Sequence, residues 1–257
     1  MMDIHGVSAF TDNYVWVMAQ AGRAVVVDPG DAAPVQAYLE AQGLELTAIL
    51  ATHHHADHVG GLPALVARWG CPTFGPAGER IAGLTRTLHE GDRFDVPGIG
   101  ITLEVLDIPG HTAGHIAFVK RGEDPLLFCG DTLFACGCGR LFEGTPPMMV
   151  ASLSKLAALP GATRVFCGHE YTLANIRFAE AVEPGNRELA ERRVREAAKR
   201  SRGEPTLPST IALELETNPF LRWTAPEVVA AAERRAGRRL AGPVDVFAEI
   251  REWKNNF

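Results

Sequence analysis

The sequence predicts an α/β protein in which a strand-rich N-terminal part precedes a helical C-terminal part. Three observations support this fold class. Apolar runs of strand length alternate with helical patterns as far as residue 172, and strand signals become scarce beyond it. Four of the apolar runs end in histidine or aspartate, which is typical of a site built from strand ends along one edge of a sheet. We therefore expect one domain over 1–172 and an α-helical domain over 173–257.

The individual elements are predicted from the spacing of apolar residues and from the turn residues that end each run. The run 24–27 is predicted to be a strand because Asp28-Pro29-Gly30 closes it in a turn, and 34–42 has helical spacing. The other predicted strands are 14–18, 46–51, 71–74, 101–108, 126–129 and 165–167, and the other predicted helices are 62–69, 173–182, 187–200, 225–236 and 246–254.

Composition excludes several classes of protein. At 257 residues and 46% hydrophobic content, the chain can bury a substantial core. A net charge of −6 argues against binding a nucleic-acid backbone, although the slightly basic part after residue 172 could hold a small anion. Five cysteines without disulfide-scaffold spacing and the lack of a long apolar segment predict a cytoplasmic protein without a membrane role. We expect a monomer.

The stretch 52–61 concentrates four histidines and an aspartate between a predicted strand and a predicted helix. In its pattern H-x-H-x-D-H, His53 and His55 fall on the same side of an extended chain, and Asp57 and His58 follow where the chain turns. One segment can therefore supply ligands to two adjacent metal ions.

A solvated polar loop or a fragment of a purification tag is the alternative interpretation of this cluster. A tag would be terminal and would lack the Gly60-Gly61 pair that follows the histidines, which favours metal binding. His54 alternates to the other side and is expected to lie outside the metal shell.

Three later strand runs also end at metal-capable residues, with a nearby glycine that allows close backbone approach. The collected ligands are His53, His55 and His111 for one ion, Asp57, His58 and His169 for its neighbour, and Asp131 as a carboxylate bridging both. Imidazole and carboxylate donors without thiolate favour catalytic zinc, iron or manganese over structural zinc. Two such ions activate water near neutral pH, so hydrolysis is the expected reaction class.

The remaining histidines and cysteines have simpler interpretations. His115 either supports the ligand-bearing turn or is a packed core histidine. Cys129 and Cys167 lie in apolar strands, where a small buried hydrophobe is favoured over a ligand. Cys136 and Cys138 are predicted to lie on a glycine-rich loop, where they could be reactive.

Together the motifs THHHADHVGG, PGHTAGH, FCGDTLF and FCGHEY resemble the metallo-β-lactamase superfamily of binuclear hydrolases. Within it the chain is most similar to the glyoxalase II, or hydroxyacylglutathione hydrolase, family. The loop 137–145, the run 169–175, the segment 182–186 and the ending REWKNNF carry that closer resemblance, which covers essentially the whole chain.

The resemblance implies an αββα sandwich over 1–172, followed by a helical substrate-binding domain. It further implies hydrolysis of S-D-lactoylglutathione and related S-acylglutathiones to glutathione and D-lactate, the second step of methylglyoxal detoxification. Two divalent ions are implied, zinc first and iron or manganese as alternatives. Asp57 and Asp131 would orient the bridging hydroxide that attacks the thioester.

The resemblance also implies which residues bind the substrate. The positions that match the family's glutathione contacts are Arg140, Phe142, Tyr171, Asn175, Arg251 and Lys254. Arg251 and Lys254 are three apart on a predicted helix, so both could face one carboxylate. Phe142 stands where the family usually has tyrosine, so one hydroxyl is missing and affinity is expected to fall by ~0.5–1.5 kcal/mol. Asn255 replaces a common aspartate.

Three other functions compete with this interpretation. A mononuclear iron persulfide dioxygenase of the same superfamily is the nearest, although its relatives generally lack the helical domain and keep fewer ligands. A nuclease-like or non-enzymatic metal-binding module is disfavoured by the acidic charge. A β-lactamase role would be expected to come with an export signal.

Overall fold

The computed structural model describes residues 2–257, which divide into two compact units. The first unit runs up to Asp107 and also contains Ala113–Gly130, and the second contains Ile108–Thr112 and Asp131–Phe257. The domain boundary at residue 172 stays a prediction. None of the helices in residues 2–257 has the length and apolar character needed to cross a membrane.

The first unit is built mainly of strands. Its elements are β1 (Asp3–Ala9), β2 (Asn13–Gln20), β3 (Arg23–Val27), α1 (Ala32–Gln42), β4 (Glu45–Leu50), α2 (Ala56–Val59), α3 (Leu62–Trp69), β5 (Thr73–Pro76), β6 (Arg86–Leu88), β7 (Arg93–Asp95), β8 (Thr102–Asp107), β9 (Ile116–Lys120) and β10 (Leu126–Gly130). Strands β1, β2 and β3 pair antiparallel, and β3, β4, β5 and β6 pair parallel in that order. A second, antiparallel group has the order β10-β9-β8-β7.

The parallel strands β3 and β4 place their carboxyl ends side by side. Both strands are almost continuously apolar and buried, as expected for parallel strands. Their register pairs Val27 with Leu50, so Asp28 and the residues 52–61, the histidine segment, emerge at the same level of the sheet. The backbone N–H of Asp28 donates to the carbonyl of Leu50 at 2.9 Å.

The second unit contains most of the helices. Its elements are β11 (Leu133–Phe134), β12 (Gly137–Cys138), α4 (Pro146–Ala157), β13 (Arg164–Cys167), α5 (Thr172–Val182), α6 (Arg187–Ser201), β14 (Ser209–Thr210), α7 (Ile211–Thr217), α8 (Pro226–Ala236) and α9 (Pro243–Asn255). Strands β11 and β12 form a short hairpin, and β13 pairs antiparallel with β14. The ring of Phe220 lies 5.8 Å from Phe178 of α5 and 5.8 Å from Phe247 of α9, so aromatic side chains join these helices.

Each predicted strand and helix has a counterpart in the structure. Helix α3 has the predicted bounds, and the largest displacement among the strands is at β5, which begins two residues later than expected. The prediction was incomplete for the shorter elements. It did not include β1, β6, β7, β9, β11, β12, β14, α2, α4 or α7.

Candidate metal centre and substrate cleft

The histidine segment leaves β4 as an extended chain and turns into the single-turn helix α2. His53 and His58 are fully buried, whereas His55 and Asp57 are partly exposed. The ring centroid of His53 lies 4.8 Å from that of His55 and 4.2 Å from that of His58. The side-chain amide of Asn13, at the start of β2, donates to Asp57 Oδ2 at 2.9 Å. The predicted ligands of this segment therefore form one group in the first unit.

Asp28 organises two of these histidines. Its carboxylate accepts hydrogen bonds from the Thr52 backbone N–H at 2.7 Å, the Thr52 hydroxyl at 2.8 Å and His58 Nδ1 at 3.1 Å. Because the Thr52 hydroxyl donates to Asp28, it accepts from His53 Nδ1 at 3.0 Å. Asp28, His53 and His58 form a group whose ligand-capable atoms lie within 4.8 Å of one another. From the sequence alone, Asp28 is predicted only to end a strand in a turn.

Glycines let the Asp28 turn pack directly on the metal-capable segment. A Cβ atom on Gly30 would overlap the backbone carbonyl of Asp57, and one on Gly60 would lie 2.7 Å from the carbonyl oxygen of Gly30. A Cβ on Gly61 would lie 2.7 Å from the carbonyl oxygen of Pro29. These contacts leave no space for a side chain, so glycine is required at all three positions.

The later predicted ligands form a second group, in the second unit. His111 Nε2 lies 3.6 Å and His169 Nε2 lies 3.2 Å from the same oxygen, Asp131 Oδ2. All three side chains are buried. His111 Nδ1 donates to the backbone carbonyl of Arg140 at 2.9 Å, so the other ring nitrogen is the one directed at Asp131.

The chemistry of these donors fits divalent metal ions. His53, His58 and His111 each direct Nδ1 at an oxygen acceptor, which in the neutral imidazole places the proton on Nδ1 and the lone pair on Nε2. Metal-binding histidines are commonly oriented in this way. Carboxylates lie beside the Nε2 atoms, Asp57 Oδ2 at 3.5 Å from His58 and Asp131 Oδ2 beside the other group. Imidazole nitrogens and carboxylate oxygens are the donors that zinc, iron and manganese accept.

Two other histidines lie near the first group of donors but are not predicted ligands. His54 Nδ1 pairs with Glu79 at 2.9 Å, in agreement with its expected place outside the metal shell. His115 is fully buried, donates Nδ1–H to the Ile116 carbonyl at 3.0 Å and stacks on His53 with ring centroids 4.5 Å apart. His115 is therefore a packed core histidine that contacts the ring of His53, and its predicted support of the turn at His111 stays a prediction.

Two of the residues predicted to bind substrate donate hydrogen bonds to the backbone of the β11–β12 hairpin. Asn175 is buried in α5, and its side-chain amide donates to the Ala135 carbonyl at 3.0 Å. Arg251 is 6% exposed in α9 and donates through Nη1 to the Cys138 carbonyl at 2.8 Å. At least part of the hydrogen-bonding capacity of each side chain is therefore used to fix backbone.

A cleft of about 550 Å³ lies beside this hairpin in the second unit. It brings together Arg140, Phe142 and Arg251 from the predicted substrate set, and its other lining residues are Leu141, Pro146, Ala248, Glu252 and Asn255. Phe142 is 64% exposed and Arg140 is also exposed, so an apolar ring and one guanidinium group are accessible to a ligand, and the largely buried Arg251 adds positive charge to the cleft wall. This combination suits a small anion with an apolar part.

Tyr171, Asn175 and Lys254 are not among the described residues that line this cleft. Tyr171 stacks on His169 with centroids 4.7 Å apart and nearly parallel rings. Lys254 Nζ donates to the Ala174 carbonyl at 3.2 Å and lies 5.1 Å from the centre of the Phe178 ring. Burial, and then the neighbouring Arg251 and Arg177, lower the pKa of Lys254 to about 8.

The cysteines are buried hydrophobes. Cys129 and Cys167 are fully buried, as expected. Cys136 and Cys138 are not on an exposed loop. Cys136 lies in the turn of the β11–β12 hairpin and Cys138 lies in β12, and at most 5% of either residue is accessible. Burial raises the pKa of Cys136 to about 12 and that of Cys138 to about 11, so neither is a reactive thiolate at neutral pH.

Comparison with known proteins identifies the class first. Residues 10–169 match the Metallo-beta-lactamase superfamily, and residues 170–257 match the Hydroxyacylglutathione hydrolase C-terminus. The chain therefore belongs to the metallo-β-lactamase superfamily and has its fold of mixed sheets and helices, followed by a helical C-terminal region.

Full-length relatives narrow the assignment. The chain is 58% identical to the hydroxyacylglutathione hydrolase of Alkalilimnicola ehrlichii, with 99% of each chain covered. It is 51% identical to that of Nitrosomonas eutropha, with 100% of each chain covered. Within the superfamily it is a member of the hydroxyacylglutathione hydrolase family.

Solved structures share the fold. ETHE1 from Myxococcus xanthus has a TM-score of 0.67 at 23% identity, covering 98% of this chain and 90% of its own. TTHA1623 in a di-iron-bound form has a TM-score of 0.60 at 27% identity, covering 85% of this chain and 100% of its own. The likeness to ETHE1 concerns the fold alone.

Proposed function

We propose that this chain hydrolyses S-D-lactoylglutathione and related S-acylglutathiones to glutathione and D-lactate, the second step of methylglyoxal detoxification. The observation that carries the proposal is the 51–58% identity, over the full chain, with proteins named hydroxyacylglutathione hydrolase. In the reaction, water supplies hydroxide to the acyl carbon and a proton to sulfur while the carbon–sulfur bond breaks. The products are a carboxylic acid and a thiol.

The seven ligands proposed for two divalent ions are His53, His55, Asp57, His58, His111, Asp131 and His169. The two groups of donors described above support this assignment. Zinc is the first expectation, and the di-iron-bound relative keeps iron as an alternative alongside manganese. When bound, the ions supply an activated water and a Lewis acid at neutral pH.

The protein's own contribution is to orient the reacting groups. Asn13 holds Asp57, and the carboxylates of Asp57 and Asp131 accept hydrogen bonds from the nucleophilic water and so fix its direction of attack. The buried surroundings of Asp131, His111 and His169 exclude bulk water and strengthen these polar interactions.

The cationic cleft is proposed to bind the glutathione part. Arg140 and Arg251, which line the cleft, are proposed to attract the carboxylate of the tripeptide's glycine, and Phe142 contributes apolar contact. Lys254 does not line the cleft and is proposed as a further cation that attracts the same carboxylate. Tyr171 and Asn175 are proposed as further contacts. The tyrosine hydroxyl usual in the family at position 142 is absent, which weakens binding by ~0.5–1.5 kcal/mol.

The test is to assay the purified protein with its metal content measured in the same sample. The proposal predicts release of thiol and D-lactate from S-D-lactoylglutathione, and loss of that activity in Asp131→Ala. Absence of turnover with two ions bound would reject the proposed substrate.

The rival persulfide dioxygenase activity is disfavoured because residues 170–257 match the hydroxyacylglutathione hydrolase C-terminus. An oxygen electrode distinguishes the two directly. We expect no oxygen uptake with glutathione persulfide, and sustained uptake would support the iron dioxygenase instead.

The proposed setting is the cytoplasm, with the chain acting as a monomer on a small-molecule substrate. All five cysteines are buried and none is joined in a disulfide, as expected in a reducing compartment. Sedimentation of the purified protein tests the oligomeric state, and cell fractionation tests the location.

A further inference from the structure

A buried ion pair in the second unit lies outside the set of residues assigned to metal or substrate. Arg192 of α6 and Glu214 of α7 are 1% and 0% exposed, and Arg192 Nη2 lies 2.7 Å from Glu214 Oε1. The same guanidinium donates to the Thr217 hydroxyl at 2.6 Å and to the Ser209 hydroxyl at 3.1 Å. Arg192 is therefore held by three oxygen acceptors.

The other oxygen of Glu214 holds the tip of the β11–β12 hairpin. Glu214 Oε2 accepts from the backbone N–H of Cys136 at 2.7 Å and from Asn218 Nδ2 at 3.0 Å. Asn218 Nδ2 also reaches the carbonyls of Phe134 at 3.2 Å and Gly137 at 2.9 Å. Cys136 has a left-handed backbone, with φ 60°, so the tip conformation needs such support.

The hairpin in turn contacts both parts of the candidate site in this unit. The ring of Phe134 lies 5.9 Å from that of His169 and 5.2 Å from that of Tyr171. At the other end the chain continues from Cys138 into Arg140, which lines the cleft and whose carbonyl accepts from His111. A shift of the hairpin tip would therefore move the groups proposed to bind substrate.

Folding stability alone does not account for the buried Arg192–Glu214 pair. Removing two charges from water costs several kcal/mol per ion, and apolar replacements of similar volume are often at least as stable. What an apolar pair cannot do is accept the N–H of Cys136 or hold the Asn218 amide.

We propose that Arg192 and Glu214 are positioning residues, which fix the β11–β12 hairpin and through it the substrate-binding loop at Arg140. The effect on substrate rests on the proposed function, whereas the effect on the hairpin does not. Neither residue is proposed to touch the substrate.

The first test variant is Glu214→Gln, which keeps the shape but presents an NH₂ group either to Arg192 or to Cys136. The matched control is Glu183→Gln, because Glu183 is equally buried and pairs with Arg222 through two hydrogen bonds of 2.8 and 3.0 Å. Amide hydrogen exchange over 133–142 and the steady-state constants are measured at equal metal occupancy.

We expect faster exchange over 133–142 in Glu214→Gln and a KM for S-D-lactoylglutathione raised roughly tenfold, equivalent to about 1.4 kcal/mol. The value of kcat should stay near wild type, because uniform substrate binding is what is lost. In Glu183→Gln, exchange of this segment and KM should match wild type even if the melting temperature falls.

The double variant Arg192→Met/Glu214→Leu covers the case in which Glu214→Gln does not fold. It removes both charges together, so no unpaired charge is buried, and it should fold with the same fast exchange and raised KM. A folded double variant with wild-type exchange and KM would overturn the proposal.

The two hypotheses fail separately. If the wild type does not hydrolyse the thioester, the proposed function is wrong, and the exchange of 133–142 still decides whether the pair positions the hairpin. Binding of S-methylglutathione by calorimetry then replaces KM as the measure of the cleft, and equal affinity in wild type and both Glu214 variants would overturn the role in binding.

Discussion

At the scale of single residues, Asp28 is the side chain on which the histidine segment depends. One carboxylate accepts from Thr52 and His58, and through Thr52 it also fixes His53. Its left-handed backbone, with φ 55°, is one that aspartate tolerates better than most residues. The sequence carried a weak signal of this role, because an aspartate directly after a buried parallel strand lies at the edge where the other ligands emerge.

Replacement of Asp28 by asparagine should therefore weaken metal binding. The amide NH₂ would face either the Thr52 backbone N–H, now bonded to Oδ1, or the Thr52 hydroxyl and His58 Nδ1–H, both bonded to Oδ2. In either orientation two donors meet, so the side chain that orients His53 and His58 is displaced or loses its role as acceptor. We expect metal affinity to fall roughly 10- to 100-fold, the range found when such outer partners are removed. Competition with a coloured chelator measures it.

The control for Asp28→Asn is Asp31→Asn in the same turn. Asp31 accepts from the N–H of Ala33 as the N-cap of α1 and is not in the Asp28 network. A small loss of stability with unchanged metal affinity is expected. Equal metal affinity in Asp28→Asn and the wild type would contradict the role given to Asp28.

Lys254 gives the second residue-scale prediction, a pH dependence of binding. Its pKa is lowered to about 8 by burial and by the nearby Arg251 and Arg177, so in the free enzyme the positive charge is lost as pH rises through about 8. If Lys254 attracts the glycine carboxylate, the affinity for S-methylglutathione should fall over the same interval. Calorimetric titrations across this pH range measure the change.

The variant Lys254→Gln should bind more weakly below pH 8 and show less pH dependence, whereas Lys155→Gln, at an exposed position of α4, should behave as wild type.

The free energy of unfolding depends on the charge of Lys254 in the opposite direction. Because the folded pKa lies below the usual 10.5, burying the charge costs stability below about pH 8, and this cost declines as pH rises from there toward 10.5. An affinity for S-methylglutathione that does not change with pH would show that the charge of Lys254 does not contribute to binding.

At the level of elements, the turn between β3 and α1 packs its backbone directly against the backbone of α2. A Cβ on Gly30 would overlap the carbonyl of Asp57, and neither backbone segment can move without displacing a predicted ligand. Gly30→Ala should cost at least the ~1–3 kcal/mol of an overpacked core and should lower metal content as well. Thermal unfolding and elemental analysis measure the two effects.

Gly22→Ala is the matched control for this prediction. Gly22 has φ +78° in the β2–β3 turn, but a Cβ there would meet nothing within 4 Å. We expect only the roughly 1–2 kcal/mol cost of a left-handed backbone and full metal content. Gly30→Ala behaving like Gly22→Ala would show that the close approach is not required.

The elements also show which local signals the sequence lacks. The buried run of β4 and the amphipathic helix α3 can be predicted from the sequence, because the order of apolar and polar residues in each reflects which side chains are buried. Helix α4 was missed because Pro146 and Pro147 indicate a break, although proline is well tolerated in the first turn of a helix. Strands β11 and β12 contain two residues each, too few for any period, and tertiary contacts define them.

At the scale of the whole molecule, the metal-capable residues were predictable because ligand chemistry restricts residue type and strand ends restrict position. The residues that support them were hardly predictable, with only a weak signal at Asp28 and none at Arg192 and Glu214. The roles of Asp28 and of the Arg192–Glu214 pair depend on contacts between segments distant in sequence, and no spacing rule relates them. The same is true of Arg251, whose donation to the Cys138 carbonyl is added to its predicted role in the cleft.

The proposed thioester hydrolysis requires two metal ions, bound by the histidine segment and the later strand ends. Its most direct test is the rate of S-D-lactoylglutathione hydrolysis as metal is returned stepwise to the chelated protein, with ions per chain counted at each step. We predict that activity is absent without metal and reaches its maximum only as occupancy approaches two. Full activity at one ion or none, or no hydrolysis at two, would contradict it.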